Sequence, residues 1–294
     1  MSYTEIVVGV DGSGPNRTAL RWAAIQAARR DLPLRVVHAY HFHVPGRAFA
    51  SRAALEHAAQ HLAELTVEDA VAEVEATRPG LAVTGAAVRG HASAALMNAA
   101  HPAALVVLGS HGHNDLSAVL LGSVSLQLAT YAPCPVAVVR GLVHNTTGPV
   151  MVGVDGSPAA DEALDAAFEQ AAIRRADLVV VQAFRPPEPS WMDSPVPLSH
   201  DPVAFEDELH EDLHRAVAPW RDKYPQVRVS CHTVDGRAGT VLAERSADAG
   251  LMVVGSRGRG GFAGLLLGSV SHHLINHSTC PVLVVRGSAH PSDS

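Results

Sequence analysis

Lysine is nearly missing from this chain. Lys223 is the single example, and every other basic residue apart from histidine is an arginine. A Walker A loop, GxxxxGK[ST], needs a lysine on the nucleotide phosphates, and no such run occurs. Cysteine is scarce as well: Cys134, Cys231 and Cys280 form an odd set of three with no CxxC pair. Cys134 and Cys280 each open a Cys-Pro-Val before an apolar stretch, so reduced, buried thiols are expected. Surplus positive charge is lacking. The net charge is −7, which argues against a nucleic-acid partner, because a duplex binder normally shows a basic face. No run approaches the roughly 18 apolar residues of a spanning helix, and the start, MSYTEIVVGVDGSG, has no basic n-region. A cytoplasmic protein without a membrane span is expected. A nucleophile elbow, GxSxG, is also absent. The 18 histidines include His41-x-His43, His111-x-His113 and His272-His273 with His277. None has a cysteine or carboxylate framework beside it, so no metal site is expected.

What is present is a repeat. The length of 294 residues suggests about two domains, and 47% hydrophobic content with 17% charge supports packed cores. Ile6–Ser13 reads IVVGVDGS and Val150–Ser157 reads VMVGVDGS. Asp155 follows Asp11 by 144 residues, while Gly255 follows Gly109, and Cys280 follows Cys134, by 146. The halves are near-equal copies with a net two-residue insertion between the first strand and the glycine loop. That period is too long for a solenoid and implies two whole domains in tandem, 1–142 and 148–288.

Within each copy, short apolar runs alternate with helical patterns. In the first, Ile6–Val10, Leu34–Ala39, Leu81–Val88, Ala104–Leu108 and Pro135–Val139 read as strands. Helices are expected over Pro15–Arg30, Ser51–Thr77, Ala92–Ala100 and from the glycine loop to about Thr130, with Pro15 suited to a first turn. The second copy repeats this order, with strands at Val150, Leu178–Ala183, Val227–Thr233, Leu251–Val254 and Val282–Val285. Strands apolar on both faces imply a parallel sheet covered on both sides, an α/β doubly wound fold. The proline-rich stretch Pro186–Pro202 reads equally well as a surface loop or as a lid beside a ligand.

The chemistry concentrates in Gly255–Ser271, GSRGRGGFAGLLLGSVS, and its counterpart Gly109–Ser125, GSHGHNDLSAVLLGSVS. Both contain Gly-x-x-Gly, nine residues, then Gly-Ser. A glycine-rich turn between a strand and a helix N-terminus lets backbone N–H groups approach an anion, which suits a phosphate cradle. In an open parallel sheet of order 3-2-1-4-5, strands one and four flank the reversal of winding, where ligands bind. Asp11 and Asp155 then face the cradles. Each could accept from ribose hydroxyls or a base, or could cap the following helix.

GVDGS, the small residue ending the second strand, and Gly-x-x-Gly-x9-Gly-Ser together resemble the universal stress protein family in its ATP-binding branch. The whole chain looks like a tandem member of the actinobacterial type, over roughly Thr4–Arg140 and Gly148–Arg286. The resemblance implies a Rossmann-like, adenine nucleotide alpha hydrolase-like fold in each half, five parallel strands in the order 3-2-1-4-5, with ATP bound in each. Asp11 and Asp155 would contact the nucleoside, and Ala39 and Ala183 the adenine. Gly109, Gly112, Gly122, Ser123 and Val124 would hold the triphosphate in half one. Gly255, Gly258, Gly268, Ser269 and Val270 would do so in half two, joined by Arg257. Magnesium would ride on the phosphates. The last strands, Val136–Val139 and Val282–Val285, would pair within the chain, and pairing of two whole chains stays open. A regulatory, stress-response role read by an unknown protein partner is the expectation, with a slow ATPase or phosphotransferase as the alternative. The halves differ where charge matters: Arg257 and Arg259 stand where half one has His111 and His113.

Overall fold

The computed structural model of the chain describes residues 4–41, 52–110, 122–140, 147–185, 202–259 and 267–286. Half one runs β1 (Glu5–Gly9), α1 (Gly14–Arg30), β2 (Leu34–Tyr40), α2 (Arg52–Thr77), β3 (Val83–Arg89), α3 (Ala92–Ala100), β4 (Ala103–Gly109), α4 (Ser123–Tyr131) and β5 (Val136–Val139). Half two runs β6 (Val150–Gly153), α5 (Pro158–Arg174), β7 (Leu178–Phe184), α6 (Pro202–Lys223), β8 (Val229–Asp235), α7 (Ala238–Arg245), β9 (Leu251–Gly255), α8 (Ser269–His277) and β10 (Val282–Val285). The expected elements are all found, with ends moved by a residue or two. β3 and β8 start two residues late, because Leu81 and Val227 are spent closing turns onto Arg78 and Tyr224.

The strands form one ten-stranded sheet, β3-β2-β1-β4-β5-β10-β9-β6-β7-β8. Each half has the order 3-2-1-4-5, and all neighbours within a half are parallel. The exception is the seam. β5 and β10 are antiparallel, with Val136 opposite Val284 and Val138 opposite Val282, so the last strands do pair within the chain. Two arginines lock the seam reciprocally. Arg140 donates to the Ile275 carbonyl at the end of α8, at 3.2 Å. Arg286 donates to the Ala132 carbonyl at 3.3 Å and to that of Thr130, at the end of α4.

Each sheet face carries one core that is continuous across both halves. One lies under α1, α2, α5 and α6, the other under α3, α4, α7 and α8. Ile6, Leu34, Leu105, Phe168, Leu178 and Leu251 are wholly buried or nearly so. Each such side chain contributes about 2 kcal/mol by leaving water. Where α3 and α7 cross the first strands, glycine makes the room. A Cβ on Gly9 would sit 3.0 Å from Leu96 Cδ1, and one on Gly153 2.5 Å from Leu242 Cδ1. The three cysteines are buried and free, as expected. Burial raises the Cys134 thiol to about 12, which keeps it protonated and inert.

Candidate functional site

The carboxyl ends of β6 and β9 lie side by side in half two, because the winding reverses between them. β6 delivers Asp155; β9 delivers Gly255 and the glycine loop; α8 starts beyond it. They surround a cavity of about 310 Å³, whose walls include Asp155, Arg257, Gly258, Gly268 and Ser269. Such a volume is within the usual range of small-ligand sites.

Asp155 is tied on both oxygens. Oδ1 accepts from the Ser157 backbone N–H at 3.0 Å, and Oδ2 accepts from the Arg259 backbone N–H at 2.8 Å. The second bond joins the end of strand one to the glycine loop 104 residues away. Burial works to raise its carboxyl pKa, but the bonds from Ser157 and Arg259, with the Arg259 charge, outweigh it and hold the group below its ordinary range. The helix cap is a different residue. Ser157 is the N-cap of α5, its hydroxyl accepting from the Ala160 N–H at 3.3 Å. The aspartate is therefore a latch on the loop, two residues before the cap.

The glycines are required by close approach. A Cβ on Gly255 would stand 2.8 Å from the Ala159 carbonyl oxygen, and one on Gly258 2.4 Å from Asp155 Oδ2. Ser271 Oγ donates to the Gly255 carbonyl at 2.6 Å, and the Gly268 N–H to the Ser256 carbonyl at 2.7 Å, which fixes the loop's two ends to each other. Gly268 is the N-cap of α8 and brings no side chain to the first-turn amides. Those amides, with the positive end of the helix dipole, are suited to an acceptor from outside the helix.

Half one repeats part of this frame. Ser125 Oγ donates to the Gly109 carbonyl at 2.7 Å, Gly122 N–H to the Ser110 carbonyl at 2.9 Å, and Gly122 is the N-cap of α4, with Ser123 and Val124 in its first turn. Asp11 Oδ1 accepts from the Ser13 N–H at 2.9 Å and also from the Asn16 side-chain amide. Asn16 fills the space over Gly109, where a Cβ would meet its Oδ1 at 2.2 Å. Gly112, His111 and His113 lie outside the described residues, as does most of the proline-rich stretch before α6.

The structure thus gathers Asp155, Gly255, Arg257, Gly258, Gly268, Ser269 and Val270 around one cavity. Ala183 is not among its walls. It is the penultimate residue of β7, partly buried and on the same face as buried Val181, and Ala39 has the corresponding place on β2, so each strand runs one residue past the alanine expected to end it. Sequence reasoning missed Asn16, and it missed Ala238 and Leu242 of α7, which line the cavity. The signal for Leu242 was Gly153: a glycine ending a buried strand marks something packed closely against it. Among the described residues, no group of three histidine, cysteine or acidic side chains is placed to hold a metal ion. None of their helices is long and apolar enough to cross a membrane.

Comparison with known families matches residues 2–140 and 146–286 to the universal stress protein family. A universal stress protein of Mycolicibacterium smegmatis is 36% identical over 295 residues, covering 96% of each chain. One from Mycobacterium tuberculosis is 39% identical over 308 residues, covering 96% of this chain and 94% of its own. Among solved structures, a universal stress protein from Archaeoglobus fulgidus superposes with a TM-score of 0.70 at 19% identity, over 97% of this chain and 99% of that one.

Proposed function

This chain belongs to the universal stress protein family, and we propose that it is an ATP-binding regulatory protein with one nucleotide site in each half. The observation that carries the reading is the half-two cavity. A glycine loop, an N-terminal helix turn capped by Gly268, and Arg257 meet there, opposite Asp155. The residues fit a triphosphate. Gly255 and Gly258 keep the walls backbone-close, Ser269 and Val270 offer first-turn amides, and Arg257 adds fixed charge. Asp155 would receive ribose hydroxyls on its remaining lone pairs, and Ala183 would border the adenine. In half one, Asp11, Ala39, Gly109, Gly112, Gly122, Ser123 and Val124 would play the same parts. A magnesium ion would be held mainly by the phosphates, since both Asp155 oxygens already accept backbone N–H bonds.

Binding is favoured over turnover. Asp155 is the only carboxylate lining the cavity among the described residues, and no histidine lines it. A carboxylate doubly hydrogen-bonded and lowered in pKa is a poor general base. ATP occupancy would then be a state that a protein partner reads. The test is to denature the purified protein and quantify the adenine nucleotide released per chain, then to titrate ATP into the stripped protein. One or two ATP per chain is expected. No carried nucleotide, together with no binding on addition, would overturn the reading.

A further inference from the structure

The halves also meet away from the strand seam, where the C-terminal turns of α1 and α5 and the end of α2 converge. Four arginines gather there: Arg29 and Arg30 end α1, Arg78 follows α2, and Arg174 ends α5. Arg174 reaches across from half two to lie over the Trp22 ring of half one, 5.6 Å from its centroid. A cavity of about 360 Å³ lies among Trp22, Gln26, Arg29, Arg78 and Arg174.

Positive charge there is under-compensated. Glu169 pairs with Arg30 at 3.5 Å, but among the described residues no carboxylate forms a salt bridge with Arg29, Arg78 or Arg174. Each helix C-terminus supplies about half a negative charge, so three such ends and one glutamate leave the cluster net positive. The guanidiniums feel one another. Burial first, then the charge of Arg29, brings Arg174 down to about 10, and burial, then Arg78, lowers Arg29.

Gln26 points to a ligand. It is 0% exposed, it lines the cavity, and neither its Oε1 nor its Nε2 has a partner. Its counterpart in half two, Gln170, is served: its Oε1 accepts from Arg174 Nε at 3.3 Å. Arg174 Nη2 is likewise buried without a partner. Arg174 Nη1 donates to the Gly250 carbonyl at 3.5 Å, so only part of that guanidinium is served. Buried polar groups are nearly always paired, and a donor amide beside guanidiniums that lack a carboxylate partner calls for an oxyanion.

We propose that this cavity is an oxyanion site that takes a phosphate group, held by Arg29, Arg78 and Arg174 with Gln26 Nε2 as a further donor. A phosphate here would tie α1 and α2 of one half to α5 of the other. The site shares no residue with the half-two cavity and does not depend on the nucleotide reading.

The test uses the full chain carrying Gly122→Glu and Gly268→Glu, which block both glycine cradles. Inorganic phosphate and glycerol 3-phosphate are titrated by calorimetry and by thermal melting. One equivalent per chain is expected, with a melting temperature that rises with ligand concentration. Arg29→Gln with Arg78→Gln, both on exposed side chains, should weaken binding by about tenfold. Gln26→Leu should weaken it similarly while raising the melting temperature of the ligand-free protein. Preference for phosphate or for the ester identifies the source, free ion or metabolite. No binding of either, or affinity unchanged in the arginine and glutamine variants, would overturn the proposal.

Discussion

The two halves have the same strand order, the same serine tie from the helix after the glycine loop, and different contacts at the same positions. In half two, the first-strand aspartate bonds forward to Ser157 and across to the glycine loop at Arg259. In half one, Asp11 bonds forward to Ser13 and sideways to Asn16. Asn16 stands where half two has Ala160, and it occupies the space over Gly109. The difference teaches that the frame of the site is backbone geometry set by glycine and serine, while the charge and occupancy around it are carried by side chains free to diverge.

The largest expected effect separates the sites. Gly268→Glu would put a carboxylate at the mouth of α8, where a Cβ has room but a phosphate would not tolerate the charge. Half-two ATP affinity should fall by about 100-fold, from losing helix-end and charge-assisted bonds together. Calorimetry should then show at most the half-one site; an unchanged isotherm would break the assignment.

Arg286→Ala tests what the halves share. Removing its bonds to the Thr130 and Ala132 carbonyls should cost about 2 kcal/mol, a drop of roughly 5 °C in melting temperature. Arg140→Ala, at the equivalent position in half one, removes the bond to the Ile275 carbonyl and tests the same lock from the other side. An unchanged melting temperature in both variants would show that the strand pairing alone holds the seam.

Asp155→Asn addresses the latch. It should cost about 1 kcal/mol and loosen the glycine loop. The folded-state pKa of Asp155 lies below its ordinary 3.8, so its stabilisation is complete above that value and is lost as the pH falls through the lowered one. Acid unfolding below about pH 4 should therefore be steeper in the native protein than in Asp155→Asn. Superimposable acid curves would show that the latch carries no net stability.

A smaller effect compares the caps of α1 and α5. Asp31 and Arg175 occupy equivalent C-cap positions with φ of 53° and 54°. Aspartate enters that left-handed region readily; arginine does so at a larger cost. Arg175→Gly should stabilise by about 0.5–1 kcal/mol, and Asp31→Gly by less, as measured by urea midpoints. The smallest effect is on ligand binding. With half two blocked by Gly268→Glu, ATP should bind half one a few-fold more tightly at pH 6 than at pH 8, because His111 and His113 gain charge where half two has permanent arginines. Equal affinity at both pH values would sink that distinction.

The strands were legible because buried parallel strands are uninterrupted apolar runs, and Val150–Gly153 or Leu251–Gly255 can hardly be read otherwise. The glycine spacing marked the loops, since the Ala159 backbone crowds Gly255 and the Asp155 carboxylate crowds Gly258. The role of the aspartates was not legible. Asp-Gly-Ser holds two good capping residues, and only the fold shows that Ser157 caps while Asp155 latches. Asn16, Ala238 and Leu242 were missed for a related reason. They reach the sites from the faces of helices, and which helical residue meets a strand end depends on crossing geometry that no local pattern records.

The antiparallel pairing of β5 with β10 has a consequence for assembly. Separated halves would each expose a short, fully apolar edge strand, and would find one another only by diffusion. On one chain, with nine residues between Arg140 and Val150, the partner edge is held at an effective concentration on the order of millimolar. Dilution therefore cannot part the pair. In two identical subunits, every substitution would strike both copies at once; here a substitution in one half leaves the other half as a standing reference.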